Sequence, residues 1–334
     1  MTLGITVGKF YPFHLGHDYL IRTAKSQVNH LIVLLGYKPN EKPSGTIRAS
    51  WIRQMHPDVE VIEVLDNLPE APEPWALKAL ELLGGRQPNF AFTSELYGEP
   101  WAIAMGAIPV TIDLHRQHFP ISGSQLRENL ATHWLMLTPP AKAYFAQRIC
   151  ILGVESSGTT TLAKALAEYY QTVWVPEYGR TYWEGRQFSP HPEQWHRDEF
   201  LHIAQTQIMI EDNLALRANK LIICDTDPLA TTVWHRRYLG VDCPALVSLA
   251  QHRNYELYIL TEPDFEFVQD GTRESESLRI QMHQWFIERL TQMGKPWVSV
   301  AGSPEKRLAD VISRINSIQK PGFSQKPGCS ESSR

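Results

Sequence analysis

Two stretches carry residue types whose spacing could handle phosphate. The first, "GKFYPFHLGH", sets Gly8, His14, Gly16 and His17 between an apolar run and a helix-like run. Histidines three apart at a helix start face one space. Gly8 lets the chain turn, and Gly16 lets backbone approach a ligand closely. Two imidazoles beside a helix N-terminus suit an anion, because free N–H groups and the helix dipole add to the field. A pair of surface histidines, or half of a metal site, fits the bare pair at least as well.

The second stretch is "GVESSGTTT", Gly153 to Thr161. Gly153, Gly158 and Thr160 fall on the marks of the phosphate-binding pattern G-x-x-x-x-G-K-[ST], but Thr159 stands where the lysine belongs. A strand at 149–152 and a helix at 160–170 are expected on either side. About 65 residues later "LIICDTD" ends an apolar run in Asp225 and Asp227, a position from which P-loop proteins hold Mg²⁺. Thr160 and Asp225 are therefore the expected metal ligands. "VPEYGR" supplies Glu177, Tyr178 and Arg180, polar groups for an acceptor substrate. The stretch 263–279 puts Asp270, Arg273 and Arg279 in a glycine-containing segment suited to a lid. Because a P-loop binds phosphate mainly through backbone N–H groups, ATP binding should survive the loss of the lysine. Arg273 or Arg279 would then supply the missing charge.

The elements that must position these residues begin twice in the same way. "LGITVGKF" (3–10) and "RICILGVE" (148–155) are short apolar strands running into glycine, each followed by a helical pattern. Further strands are expected at 30–37, 58–65, 89–95 and 108–113, then at 172–177, 220–227, 255–262 and 296–302, with helices between, notably at 46–56 and 74–83. Near-continuous apolar strands alternating with helices imply doubly wound parallel sheets covered on both faces. Two prolines in "LTPPAKAYFAQR" break the pattern. The expected division is a first domain at 1–137, a linker at 138–148, a second domain at 149–318, and a disordered Pro/Gly/Ser-rich tail at 319–334.

Composition narrows the field. A net charge of −4 gives no support for a nucleic-acid-binding surface. The four cysteines lie far apart without a C-x-x-C pair, which argues against a zinc site or a disulfide framework and fits a reducing cytoplasm. The longest apolar runs are too short to span a bilayer, and no signal peptide fits before the first strand. His191, His196 and His202 are spaced for different helix faces, so no metal is expected there.

The first string resembles the G-x-F-x-P-x-H-x-G-H signature of the nucleotidyltransferase superfamily, matching at Gly8, Phe10, Pro12, His14, Gly16 and His17. "ISGSQLR" (121–127) resembles that family's second signature through Ile121, Ser122, Ser124 and Arg127. The resemblance implies a Rossmann-like domain that transfers a nucleotidyl group from ATP. His14 would stabilise the α-phosphoryl transition state and His17 would hold triphosphate oxygens. Lys9 and Arg127 would neutralise the departing pyrophosphate, with Mg²⁺ assisting.

Taken whole, the chain resembles the NadR family, in which a nicotinamide mononucleotide adenylyltransferase is fused to a P-loop ribosylnicotinamide kinase. The matching pieces include "SELYG", "DLHRQHFPISGSQLREN", "YFAQRICILGVESSG", "PEYGR", "CDTDPLATT" and "QDGTRE". The resemblance implies ATP, nicotinamide mononucleotide, ribosylnicotinamide and NAD as small-molecule partners. It also implies Glu177, Asp227 and Arg273 as catalytic groups, with Trp51 a candidate to stack on the nicotinamide ring. A homo-oligomer is compatible with the sequence. No room precedes Gly8 for the helix-turn-helix that some members carry, so repression of genes is not expected. Two alternatives stand beside this reading: a nucleotide-sensing second domain that transfers no phosphate, and a first domain serving another phosphorylated acceptor, such as phosphopantetheine.

Overall fold

A computed structural model of the protein describes residues 1–264 and 276–318. The chain divides into two compact units between Ala141 and Lys142.

In the first unit, strands and helices alternate from the start: β1 (Leu3–Gly8), α1 (Leu15–Lys25), β2 (His30–Tyr37), α2 (Gly45–Met55), β3 (Glu60–Leu65), α3 (Pro72–Leu82), β4 (Phe90–Thr93), α4 (Gly98–Ala104), β5 (Ile108–Thr111) and α5 (Gly123–Glu128). The sheet is parallel throughout, in the order β3-β2-β1-β4-β5. The middle of β2, Leu31 to Gly36, is wholly buried, as its unbroken apolar run requires in a sheet covered on both faces. Ile5, Ile32, Leu34, Val64 and Ala91 form the core beneath the helices, with Trp101 against them. After β1 the chain builds outward to β3, then returns to place β4 on the other flank of β1. At that reversal the carboxyl ends of β1 and β4 open a crevice, the usual ligand position in such sheets.

Residues 138–148, read from the sequence as a linker, are mostly ordered structure. Helix α6 (Pro139–Phe145) is followed directly by β6 (Gln147–Leu152). The two prolines open that helix, in its first turn, where a missing N–H costs nothing. Thr138 is tied back into the first unit, donating from N–H and Oγ1 to the Phe13 carbonyl at 3.4 and 3.0 Å.

The second unit continues with α7 (Thr159–Tyr169), β7 (Trp174–Val175), α8 (Tyr178–Arg186), α9 (Arg197–Ala215), β8 (Leu221–Asp225), α10 (Pro228–Leu239), α11 (Pro244–His252), β9 (Leu257–Thr261), α12 (Glu276–Gln292), β10 (Trp297–Val300) and α13 (Pro304–Ile318). Its parallel sheet runs β10-β9-β6-β8-β7. Ile149, Ile151, Ile223 and Ile259 from three central strands pack with Leu162, Leu166, Val311 and Ile315 from α7 and α13. All ten expected strands are present, and both sheets are doubly wound. Among the described residues no helix is long and apolar enough to cross a membrane. The expected tail at 319–334 lies outside the described residues.

Candidate functional site

At the mouth of the first sheet, His14 is the N-cap of α1, with extended backbone. Its Nδ1 accepts the Gly16 N–H at 3.1 Å. A Cβ on Gly16 would stand 3.0 Å from His14 Cε1, so glycine leaves the imidazole room to fold back without a tight contact. Since Nδ1 accepts, the ring proton sits on Nε2, which is left to donate. Burial, reinforced by the positive charge of Arg116, lowers the His14 pKa to about 3. His17 stacks on it with centroids 3.6 Å apart and is likewise pushed well down by burial, then by His14 and Arg116. Both rings are therefore neutral hydrogen-bonding groups at pH 7, not cations. Phe10, fully buried at a positive φ of 48°, sets its ring 5.0 Å from that of His17. Gly8 accommodates it, because a Cβ there would meet the Phe10 ring at 3.3 Å.

The second signature closes the same crevice. Ser122 caps α5, its Oγ accepting the Gln125 N–H at 3.2 Å while Gln125 Oε1 accepts the Ser122 N–H at 2.8 Å, a reciprocal capping box. Arg127 turns inward, donating to the Tyr11 carbonyl at 2.5 Å and to Ser124 Oγ at 2.9 Å, with its guanidinium over the Tyr11 ring. It braces the loop that carries His14. Lys9 lies against Asp66 at 2.9 Å. The charge that faces the histidines is Arg116, ion-paired to Glu95 at 2.7 Å. Arg116 helps line a cavity of about 90 Å³ with His14, Gly16, His17, Ser122 and Gly123. Sequence reasoning passed over Arg116, although it stands between β5 and the second signature.

One expectation for this unit needs correction. Trp51 is 5 % exposed, packed within the fold on α2, and does not line the cavity. Arg48, also on α2, is fully buried. It donates to the Lys9 and Gly36 carbonyls and pairs with Glu41 at 2.5 Å. It thereby clasps the ends of β1 and β2 beside the crevice.

In the second unit a larger cavity, about 420 Å³, opens over the P-loop. Gly153, Thr159, Thr160, Glu177 and Arg180 line it together with the aromatic residues Trp183, Trp195, Trp234 and Tyr238. Gly158 takes φ 84° as the N-cap of α7, a conformation suited to glycine. Thr160 Oγ1 donates to Asp225 Oδ2 at 2.6 Å. Burial still raises the Asp225 pKa, so a cation beside it would relieve an unfavourable buried charge. Hydroxyl and carboxylate oxygens are the donors Mg²⁺ takes, and this pair fits it. Glu177, the N-cap of α8, is pushed up to about 7, by burial first and then by Asp225.

Asp227 is not in the cavity. It is fully buried as the N-cap of α10, accepting the Leu229 and Ala230 N–H groups at 2.9 and 3.2 Å and the Tyr258 hydroxyl at 2.8 Å. Its expected catalytic role gives way to a helix-capping one, because Pro228 starts a helix immediately after it. Arg279 lies behind the P-loop, donating to the carbonyls of Glu155 and Ser156. Asp270 and Arg273 lie outside the described residues. The aromatic lining escaped sequence reasoning: its members come from α8, the segment before α9, and α10, and no periodicity connects them.

A Cβ at Gly153 would fall inside contact distance of both Thr261 Oγ1 and Ser157 Oγ, and 3.0 Å from Thr159 Cγ2. Those two hydroxyls bond each other at 2.7 Å in the interior. Gly153→Ala is therefore expected to destabilise the second unit by about 1–3 kcal/mol through overpacking, measured by urea denaturation.

A family model described as an AAA domain matches residues 148–307. Over 294 residues the chain is 30% identical to the trifunctional NAD biosynthesis/regulator protein NadR of Salmonella typhimurium, covering 81% of this chain and 72% of that protein. To its Escherichia coli (strain K12) counterpart it is 29% identical over 323 residues, covering 90% and 78%. A crystal structure of NadR in complex with NR matches with a TM-score of 0.73 at 20% identity, covering 98% of each chain. Another, with NAD and AMP-PNP, matches with a TM-score of 0.70 at 20% identity, covering 98% of this chain and 97% of that one. At that identity the structural likeness speaks to the fold, whereas the sequence likeness to the Salmonella protein is longer than either unit alone: the chain belongs to the NadR family.

Proposed function

We propose that the first unit transfers an adenylyl group from ATP to nicotinamide mononucleotide, giving NAD and pyrophosphate, and that the second phosphorylates ribosylnicotinamide with ATP. The product of the second reaction is the substrate of the first. In the first unit the acceptor phosphate attacks the α-phosphorus and pyrophosphate leaves in line, so positioning and electrostatics carry the chemistry. The neutral His14 Nε2–H donates to an α-phosphoryl oxygen as charge builds there. Arg116 and the α1 N-terminus add positive potential without a protonated histidine. The observation that supports this reading is the His14–Gly16 hydrogen bond, which fixes the tautomer and leaves Nε2–H as the donor of a residue that lines the cavity.

In the second unit the P-loop and the N-terminus of α7 take the phosphates. Thr160 and Asp225 would hold Mg²⁺, which when bound neutralises phosphate charge. Glu177 is poised to accept the proton of the acceptor hydroxyl. The tryptophans and Tyr238 suit a flat ring, and a cationic pyridinium gains further from their faces. A cavity of about 420 Å³ is of ligand size.

Incubating the pure protein with ATP·Mg²⁺ and ribosylnicotinamide, and following both products, tests the two steps together. Formation of NAD through the mononucleotide is expected. Mononucleotide without NAD would overturn the first assignment. If neither forms but added mononucleotide is converted to NAD, the second unit binds nucleotide without transferring phosphate, a reading that Thr159 favours.

A further inference from the structure

The P-loop is held from behind by two arginines that neither phosphate-binding pattern includes. Arg279 on α12 donates from Nε to the Glu155 carbonyl at 3.2 Å and from Nη2 to the Ser156 carbonyl at 3.3 Å. Arg307 on α13 donates from Nη1 to the Ser157 carbonyl at 2.6 Å. Three consecutive carbonyls of the loop are thus engaged by two buried guanidinium groups, 5 % and 2 % exposed.

The consequence follows from peptide geometry. In a trans peptide the C=O of one residue and the N–H of the next point in opposite directions. Holding carbonyls 155, 156 and 157 outward turns the N–H groups of Ser156, Ser157 and Gly158 the other way. The Ser157 N–H closes a turn onto the Val154 carbonyl at 3.2 Å. Those of Ser156 and Gly158 are aimed at the loop's concave side, where successive N–H groups make an anion nest. Arg307 is itself firmly seated. Its Nε donates to the Gly302 carbonyl at 2.9 Å and its Nη2 to the Glu262 carbonyl at 3.0 Å, and it pairs with the Asp264 carboxylate. Asp264 offsets part of its charge, so its main service is geometric.

We propose that Arg279 and Arg307 are positioning residues that hold the P-loop with its N–H groups turned toward the phosphates, so that polyphosphate binding does not depend on a lysine at position 159. This rests on the reading that the loop takes the phosphates of ATP. It does not require that phosphate be transferred.

The test uses hydrogen–deuterium exchange in the full-length protein, followed on the peptide spanning residues 153–162. That readout is local to this loop, although the first unit is also proposed to bind ATP. The peptide is titrated with ATP·Mg²⁺ and separately with AMP. Arg307→Ala is expected to raise the ATP concentration for half-protection by about 10–100-fold, the equivalent of one charged hydrogen bond, with the AMP response changed by less than about threefold. Arg279→Ala should act in the same direction. Arg307→Lys, which keeps one donor and the charge, should lose less and serves if the alanine variant does not fold. Adding Thr159→Lys to Arg307→Ala should recover most of the ATP response. Equal weakening of ATP and AMP, no change in either, or no recovery with the added lysine would overturn the proposal. A wild-type loop that ATP does not protect would overturn the underlying reading and this proposal together. Protection by ATP without phosphate transfer would overturn only the kinase assignment.

Discussion

Replacing His14 with alanine is expected to lower NAD formation from nicotinamide mononucleotide by about 10²–10³ in kcat, the usual cost of losing one preorganised donor to a developing oxyanion. The mononucleotide and ATP should still bind within about tenfold, because Ser122, Arg116 and the backbone around Gly16 remain. The Nε2–H meets charge that is larger in the transition state than in bound ATP, so the loss belongs in kcat more than in KM. A variant with near-wild-type kcat would remove His14 from the chemistry. The lowered pKa of His14 predicts a second effect, on stability. The unfolded histidine binds a proton near its ordinary value of 6.5, whereas the folded one resists protonation down to about 3. Its contribution is therefore fully present above about 6.5 and is lost as pH falls toward 3. Unfolding midpoints of the wild type and His14→Ala, compared across that window without nucleotide, should show the wild type losing ground relative to the variant as the solution is acidified.

Glu177→Gln is expected to reduce phosphorylation of ribosylnicotinamide by about 10²–10⁴, the range for removal of a positioned general base, while ATP still protects the P-loop. In the wild type the same rate should rise with pH through about 7, where Glu177 ionises, and then level off. The glutamine variant should lack that rise. Stability moves in the opposite sense. A carboxyl group whose folded pKa is raised from 4.5 to about 7 contributes stability below about 4.5 that is lost as pH rises through 7. Glu177→Gln should therefore melt higher than wild type at pH 8 and show little advantage at pH 4. If its transferase rate is unchanged, another group takes the proton. If its melting advantage does not depend on pH, Glu177 is not the half-buried acid of raised pKa that the cavity makes it.

Much of this could be read from the chain itself. Ten short apolar-rich runs became ten strands, the central ones such as β2, β8 and β9 because an unbroken apolar run suits a parallel sheet covered on both faces. The glycines at 8, 16, 153 and 158 were also legible, since a tight turn or a close approach is a local demand. So was the placement of His14, Ser122 and Thr160 at the starts of helices. What only the tertiary structure decided was the destination of long or ambiguous polar side chains. Arg127 and Arg279 look like phosphate ligands in sequence, yet they turn to the carbonyls of Tyr11, Glu155 and Ser156. Arg48 and Arg307 look like surface residues, yet both are buried on backbone acceptors. Asp227, expected to act catalytically, instead caps α10. A glycine or a strand answers to its immediate neighbours, so local sequence suffices for it. A guanidinium or carboxylate goes wherever unsatisfied backbone groups await a partner, and those groups are brought to it by elements as far apart in sequence as Ser157 and Arg307.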